Sequence, residues 1–405
     1  MSRFLFVVPP LTGHVTPLVA VARRLTDAGH AVCWSGAPSV IGPLAGPEAV
    51  VVPCPEFRPD PAARRTAPGG YAAVRYLWEN VLVPLADTCV DSVTDAARRF
   101  HADVVVSDMQ ALAGPLAAAR LGLPCATSAT TSASLRDSFN NTPKIRDWRD
   151  GLVASLVDRH CAALPTRPSP QDIEMSPDLV IAFTTTALAG DITTAPQVRF
   201  VGPALAERAG PPFPTELLDG RPLVVTALGT LNGAVGGRFL TVCAEALLSL
   251  RGRVQAVIAD PTDVLRGAAP PDVITRPYLP LLPLLRRASV VICHAGHNTV
   301  CESLAHGVPL IVAPVRDDQP VVASQVTDAG AGIRVRFAHA DADAIRRAVV
   351  SLLDEPGFAA SARAVKASFD ASGSATAAAE HLVALAHGRL APSGTADGGT
   401  ANGGA

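Results

Sequence analysis

The sequence predicts an α/β protein built from two doubly wound domains. Three observations carry this reading. Two separate stretches, starting at Phe4 and at Leu223, each open with a short apolar run, continue with a helical pattern and return to a second such run. Repeated β-α-β units of this kind give parallel sheets covered by helices on both faces. Between the two, Gly202 to Pro222 carries Pro203, Pro211, Pro212, Pro214 and Pro222, the composition of a linker. The chain has 405 residues, 48% of them hydrophobic, enough for two sizeable cores.

Taken in order, Phe4 to Val8 reads as a buried strand, Pro9 to Gly13 as a turn, and Val15 to Ala28 as a helix stopped by Gly29. Ala31 to Ser35 and Val50 to Val52 follow as strands. Pro53 to Tyr71 is rich in Pro, Arg and Gly and reads as a long loop, usually a functional feature in a compact domain. Tyr71 to Phe100 is mostly helical, with a break expected near Pro84. Asp103 to Ser107 is a strand ending in Asp108, then come a helix from Ala111 to Leu121 and a strand from Cys125. Ser128 to Asp150 reads as irregular and polar, and Leu179 to Ala182 as the strand that closes the first sheet. The expected divisions are residues 1–202 for the first domain and 203–222 for the linker.

The second domain is expected over residues 223–372. Its first strand, Leu223 to Leu228, leads into Gly229-Thr230-Leu231-Asn232-Gly233, a turn placed to touch phosphate, with Thr230 as the contact. It lacks G-K-[ST], so it is no Walker loop. Val254 to Ile258 and Val273 to Thr275 are further strands, and helices are expected near Ala323–Ala329, Ala342–Leu353 and Phe358–Phe369. A last helix lies within residues 373–389, and residues 390–405, small, polar and Gly-rich, read as a disordered tail.

Composition excludes several classes. A net charge of −2 gives no electrostatic case for nucleic acid or an anionic membrane. No apolar run reaches the roughly 18 residues of a membrane span, and Phe4 to Val8 is too short for a signal peptide. Eight cysteines show no CxxC pair and no framework spacing, which fits a reducing cytoplasm rather than a disulfide scaffold. The first turn has no G-x-G-x-x-G, which argues against a nicotinamide or flavin site.

The most informative stretch runs from Tyr278 to Gln319. Val290 to Cys293 reads as a buried strand, His294-Ala295-Gly296-His297 as a turn, and Asn298 and Thr299 as the start of a helix ended by Gly307. Gly296 permits close backbone approach or a positive φ. A helix that starts at a small-residue turn offers free N–H groups and the positive end of its dipole to an anion. Thr299 adds a hydroxyl and His294 a ring N–H. Glu302 is read on the first turn, within reach of a ribose. Asp318-Gln319 follows the next strand, Leu310 to Ala313, at the same carboxyl edge, where α/β sheets bind ligands. His294 and His297 lack the i, i+4 helical spacing of a zincin pair, so no metal site is expected.

This stretch resembles the donor-binding signature of family 1 glycosyltransferases. Its fixed points stand here as Tyr278, Pro280, His294, Gly296, Asn298, Thr299, Glu302, Gly307-Val308-Pro309 and Asp318-Gln319. Tyr278, Leu281, His297 and Val322 depart from the plant pattern, as bacterial members that decorate natural products and antibiotics also do. The resemblance covers the chain up to the tail and implies the GT-B architecture, two Rossmann-like domains facing a cleft, with the last helix crossing back to the first domain.

It further implies an inverting hexosyltransferase. The co-substrate is a UDP- or dTDP-sugar held by Thr230, Tyr278, His294, Gly296, Asn298, Thr299, Glu302, Asp318 and Gln319. No further cofactor is implied. The acceptor is a bulky, largely apolar small molecule near Trp78 and Phe139, and the protein is a monomer or homodimer. His14, in G-H-V-T-P, stands where the family has its general base, and Asp108 where it has the carboxylate that supports that base. A histidine near pKa 6.5 suits this work. Read from the residues alone, His14 is equally a loop histidine held by backbone, Asp108 a helix cap and Tyr278 a core residue. A non-catalytic helper protein and a sugar-nucleotide epimerase of the same fold are the alternative functions.

Overall fold

A computed structural model describes residues 1–55, 70–135, 142–190, 192, 195–205, 212–229, 236–266 and 273–389. The long loop expected after Pro53, most of the Thr230 turn, Phe139 and the tail fall outside the described residues. The first sheet contains β1 (Arg3–Val7), β2 (Ala31–Gly36), β3 (Val51–Pro53), β4 (Val104–Asp108), β5 (Cys125–Ala129), β6 (Leu179–Ala182) and β7 (Val198–Phe200). The second contains β8 (Leu223–Ala227), β9 (Gln255–Ala259), β10 (Val273–Arg276), β11 (Ala288–Cys293), β12 (Leu310–Val312) and β13 (Gly332–Arg334). All pairings are parallel, as the β-α-β repeats require.

The strand orders are β3-β2-β1-β4-β5-β6-β7 and β10-β9-β8-β11-β12-β13. In each sheet the winding reverses once, between β1 and β4 and between β8 and β11. At a reversal the connecting helices leave to opposite faces, and a crevice opens at the carboxyl ends of the two central strands.

The central strands are apolar throughout because both faces are covered. In β1, Phe4 and Phe6 point into one core and Leu5 and Val7 into the other. The first core includes the helix Thr12–Asp27 and the C-terminal helix Ser374–Ala386, whose Ala378 and Leu382 are fully buried. The second includes the helices Val83–Phe100 and Ala113–Leu121. The C-terminal helix thus packs on the first sheet after the chain has built the second, and Ser374 secures the crossing through its N–H to the Val201 carbonyl, 2.7 Å, and its hydroxyl to the Pro203 carbonyl, 2.7 Å.

Several boundaries differ from the sequence reading. The helix after β1 starts at Thr12 rather than Val15, so His14 lies in its first turn and not in a preceding loop. The helix after β11 starts at His297, one residue before Asn298. The segment from Tyr71 to Phe100 does not break at Pro84 but runs through a π-helical turn, Trp78–Leu82, just before it. Within the stretch read as irregular, Pro143–His160 is a helix with a weak apolar stripe, and β7, not Leu179 to Ala182, is the outer strand of the first sheet. The helix Pro38–Ala45 has no counterpart in the sequence reading.

The crossing helix yields a stability prediction. Leu382→Ala deletes a side chain with 0% exposure from a core shared by both ends of the chain. It should lower unfolding free energy by about 2–5 kcal/mol. Urea denaturation would measure this, and a loss below about 0.5 kcal/mol would show that the helix does not anchor there.

Candidate functional site

The two winding reversals each carry a histidine. His14 follows β1 and Asp108 ends β4, so both stand at the first crevice. The His14 Nδ1 lies 2.9 Å from Asp108 Oδ1. Asp108 is 1% exposed, and its Oδ1 also accepts the Gln110 N–H at 2.8 Å. Thr130, one residue past β5, lies 2.9 Å from Asp108 Oδ2 and 2.8 Å from His14 Nδ1 through its hydroxyl oxygen. An ionised carboxylate only accepts. Nδ1 therefore carries the proton, and Nε2 keeps its lone pair. Burial pulls the His14 pKa down, but the charge and hydrogen bond of Asp108 and the charge of Asp318 outweigh it, and the pKa ends above 6.5.

At the second crevice, His294 follows β11 and Gly229 follows β8. The imidazole of His294 is clamped between Gly229 and Gly296. A Cβ on Gly229 would stand 2.7 Å from His294 Cε1, and one on Gly296 would stand 2.4 Å from Nε2. Gly229 also has φ +71°, whereas Gly296 has φ −64°, so close approach is the requirement at Gly296. Burial lowers the His294 pKa to about 4, against the opposing pull of Asp318 and the Ala227 carbonyl. The ring is neutral near pH 7 and offers an N–H rather than a charge. Its Nδ1 is buried without a hydrogen bond of good geometry.

The helix His297–Ala305 has Gly296 as its N-cap, with no side-chain cap and no acidic residue in its first turn. Its first backbone hydrogen bond runs from Val300 N to Gly296 O at 3.0 Å, which leaves the N–H groups of its first turn as an uncapped donor set. Asn298 and Thr299 lie in that turn. Glu302 is its sixth residue, in the second turn rather than the first, and is 4% exposed. Tyr278 is 49% exposed, so the core-packing alternative for it is wrong.

The two crevices meet. Asn298 Nδ2 donates to the Gly13 carbonyl at 2.8 Å. That carbonyl is free because Pro17, four residues on inside the helix, has no N–H to give it. Asp317 at φ 57° turns the chain after β12, and Asp318 Oδ2 accepts the Thr131 hydroxyl at 2.6 Å. Asp318 also raises the proton affinity of His14, His294 and His297, so its charge sits among all three rings. Gln319 has its carboxamide oxygen committed to the N–H groups of Val315, 2.8 Å, and Arg316, 3.1 Å, which leaves its amide nitrogen to donate. Ser132 donates to Gln325 Oε1 at 2.6 Å and lies 3.4 Å from His297 Nδ1. His297 thus packs against Ser132 and the Phe183 carbonyl of the first domain.

Sequence reasoning missed Thr130, Thr131 and Ser132. The available signal was their position: a run of hydroxyl residues directly beyond a buried strand, at the carboxyl edge. Trp78, expected near an acceptor, is half-buried against the second core, and Tyr71 meets Trp148 edge to face with centroids 5.7 Å apart. A cavity of about 120 Å³ opens at the carboxyl ends of β1 and β2, lined by Val7, Val8, Pro10, Gly36, Leu85 and Leu112 among others. Trp78 is not part of that lining. Among the described residues no group of three His, Cys, Asp or Glu side chains is placed to hold a metal ion, and no helix is long and apolar enough to cross a membrane.

The low pKa of His294 has a consequence for stability. Between pH 6.5 and about 4 the unfolded chain binds a proton at this ring and the folded chain does not. Its contribution therefore favours unfolding as pH falls through that window, by about 2 kcal/mol at pH 5, and vanishes above it. His294→Gln should lose less stability than the parent between pH 7 and pH 5. Equal losses in urea titrations would place the ring in water.

Residues 246–385 match the family described as erythromycin biosynthesis protein CIII-like, C-terminal domain. The chain is 28% identical over 402 residues to 4′-demethylrebeccamycin synthase of Lentzea aerocolonigenes, covering 88% of this chain and 93% of that protein. The solved structure of CalG4, the calicheamicin glycosyltransferase, covers 97% of this chain and 100% of its own with a TM-score of 0.76 at 23% identity. The spinosyn rhamnosyltransferase SpnG complexed with thymidine diphosphate covers 95% and 100% with a TM-score of 0.73 at 25% identity, and SpnG has also been solved with the spinosyn aglycone. Residues 246–385 thus match an EryCIII-like C-terminal domain, and the chain is similar over most of its length to a natural-product synthase and shares the GT-B fold of the solved glycosyltransferases.

Proposed function

We propose that this protein moves a sugar, with inversion, from a UDP- or dTDP-sugar to a hydroxyl of a bulky, largely apolar small molecule. The observation that carries the reading is the meeting of the two crevices. A histidine paired with a buried carboxylate at 2.9 Å stands beside an uncapped helix N-terminus, joined to it by the 2.8 Å bond from Asn298 to Gly13. One side supplies a base and the other an anion site.

In this reading the diphosphate lies on the first turn of the helix His297–Ala305, with the Thr299 hydroxyl and the His294 N–H adding donors, and Tyr278 stacks the base. Glu302 serves the ribose, Asp318 and the amide of Gln319 the sugar hydroxyls. The thymidine diphosphate bound by SpnG supports a pyrimidine nucleotide here. The apolar lining of the cavity at Val7, Val8, Leu85 and Leu112 supports an apolar acceptor. His14 Nε2 takes the acceptor's hydroxyl proton. The oxygen forms its bond to the anomeric carbon from the face opposite the diphosphate, whose oxygen leaves with the bonding pair. A helix terminus is worth about 0.3–2 kcal/mol per charge, so several donors act together on the leaving group.

The raised pKa of His14 sets the pH dependence. The ring must be unprotonated to act, so kcat should rise with pH through a midpoint above 6.5. His14→Ala should lose about 10²–10⁴ in kcat with an alcohol acceptor. UDP or dTDP affinity, measured by calorimetry, should stay nearly unchanged, because the diphosphate is held by the other sheet. Asp108→Asn should lose less, since the imidazole remains. Undiminished turnover of an alcohol by His14→Ala would remove His14 from the chemistry.

Charge on the leaving group is assigned to N–H donors, so activity should survive EDTA. Complete loss on chelation, restored by Mg²⁺ or Mn²⁺, would contradict that assignment.

A further inference from the structure

We propose that Thr130 is a positioning residue of the His14–Asp108 pair, its hydroxyl giving a proton to Asp108 Oδ2 and accepting one from His14 Nδ1–H. The inference rests on the proposed base role of His14 and adds a residue to it. Three contacts close a ring of three side chains: Nδ1 to Asp108 Oδ1 at 2.9 Å, Nδ1 to the Thr130 oxygen at 2.8 Å, and that oxygen to Asp108 Oδ2 at 2.9 Å. Thr130 is 4% exposed and Asp108 1%, so neither can exchange these bonds for bulk water.

Counting protons decides the direction of each bond. The hydroxyl has one proton. If it went to Nδ1, that nitrogen would face Asp108 Oδ1 as acceptor against acceptor, and Thr130 would face Oδ2 in the same way. Two such contacts below 3 Å in a buried place are unfavourable. With the hydroxyl proton on Oδ2, Nδ1–H is shared between Oδ1 and the Thr130 oxygen, and every group is satisfied. The Gln110 N–H, 2.8 Å from Oδ1, completes the set. Thr130 reaches the site because β5 pairs with β4, Ser128 standing beside Asp108 in register. Its branched Cβ restricts χ1, which suits a residue that must hold two bonds at once.

The consequence is electrostatic as well as geometric. A hydrogen bond from imidazolium is stronger than one from neutral imidazole. The Thr130 oxygen therefore favours the protonated ring formed when His14 takes the acceptor proton. The charged and titratable groups around the ring are Asp108, Asp318 and His297, and all three remain when only the hydroxyl is removed. Thr130→Val should lower the His14 midpoint by about 0.7 pH unit, the difference between a charged and a neutral hydrogen bond. Thr130→Ser keeps the hydroxyl and should keep the midpoint.

The test is a pH titration of ¹⁵N-histidine-labelled full-length protein by NMR, with the His14 signal identified by its absence in His14→Gln. The expected result is a lowered midpoint in Thr130→Val and a parental one in Thr130→Ser. If valine is not tolerated, Thr130→Ala carries the same expectation. A parental midpoint in a folded Val or Ala variant, or a serine variant that behaves like valine, overturns the proposal. Turnover of dTDP-glucose with a hydroxycoumarin separates the two readings. Above both midpoints we expect kcat to fall by up to about fivefold, the factor that 0.7 pH unit represents, at unchanged nucleotide KM, as the base weakens. A lowered midpoint with unchanged kcat would uphold the role of Thr130 toward His14 and count against His14 as the base.

Discussion

The bond from Asn298 to the Gly13 carbonyl is the contact on which the arrangement of the site depends. It exists because of a proline. In a regular helix the Gly13 carbonyl would accept the N–H four residues on, but that residue is Pro17. Without that donor the carbonyl keeps its acceptor capacity for a partner from outside the helix. Asn298, in the first turn of the helix after β11, supplies it at 2.8 Å. The residue next to Gly13 is His14, and the residue next to Asn298 is Thr299. This hydrogen bond, together with that from Thr131 to Asp318, sets His14 of one sheet beside the open helix end of the other.

Around that contact the two histidines are tuned in opposite directions by their surroundings. His14 sits against the buried Asp108 carboxylate, and its proton affinity is raised despite burial. His294 is packed between two glycines, and burial drives its pKa to about 4. The first is suited to take a proton near neutral pH, the second to stay neutral and donate an N–H beside an anion. Asp318 holds its negative charge between them and is itself tied to Thr131 at 2.6 Å. Two residues of one type thus acquire different chemistry from the packing around them.

Much of this was legible in the sequence and some was not, for physical reasons. The strands were readable because buried parallel strands are continuous apolar runs, as Val104-Val105-Val106 and Val290-Val291-Ile292 show. Helix starts were less readable. Leu11 and Gly296 are the N-caps of the two helices that matter most, and neither has a capping side chain. His14 and Asp108 were visible as polar residues at strand ends, but their contact spans 94 positions and is set by the pairing of β1 with β4. Thr130, Thr131 and Ser132 were missed because a hydroxyl is equally at home in a solvated loop. Only the opposing sheet and the dyad show what they bind. The meaning of Pro17 was hidden for the same reason, since its effect is a missing donor whose replacement comes from 285 residues away.

The central claim is that a base on one sheet and a diphosphate site on the other face each other across the sugar. The anomeric configuration of the product tests this most directly. A nucleotide sugar with an axial leaving group, such as α-linked dTDP-glucose, should give a β-glycoside, read from the coupling constant of the anomeric proton by NMR. An α-glycoside formed in the same single transfer would contradict the account, because the acceptor oxygen would then have approached from the face held by the diphosphate.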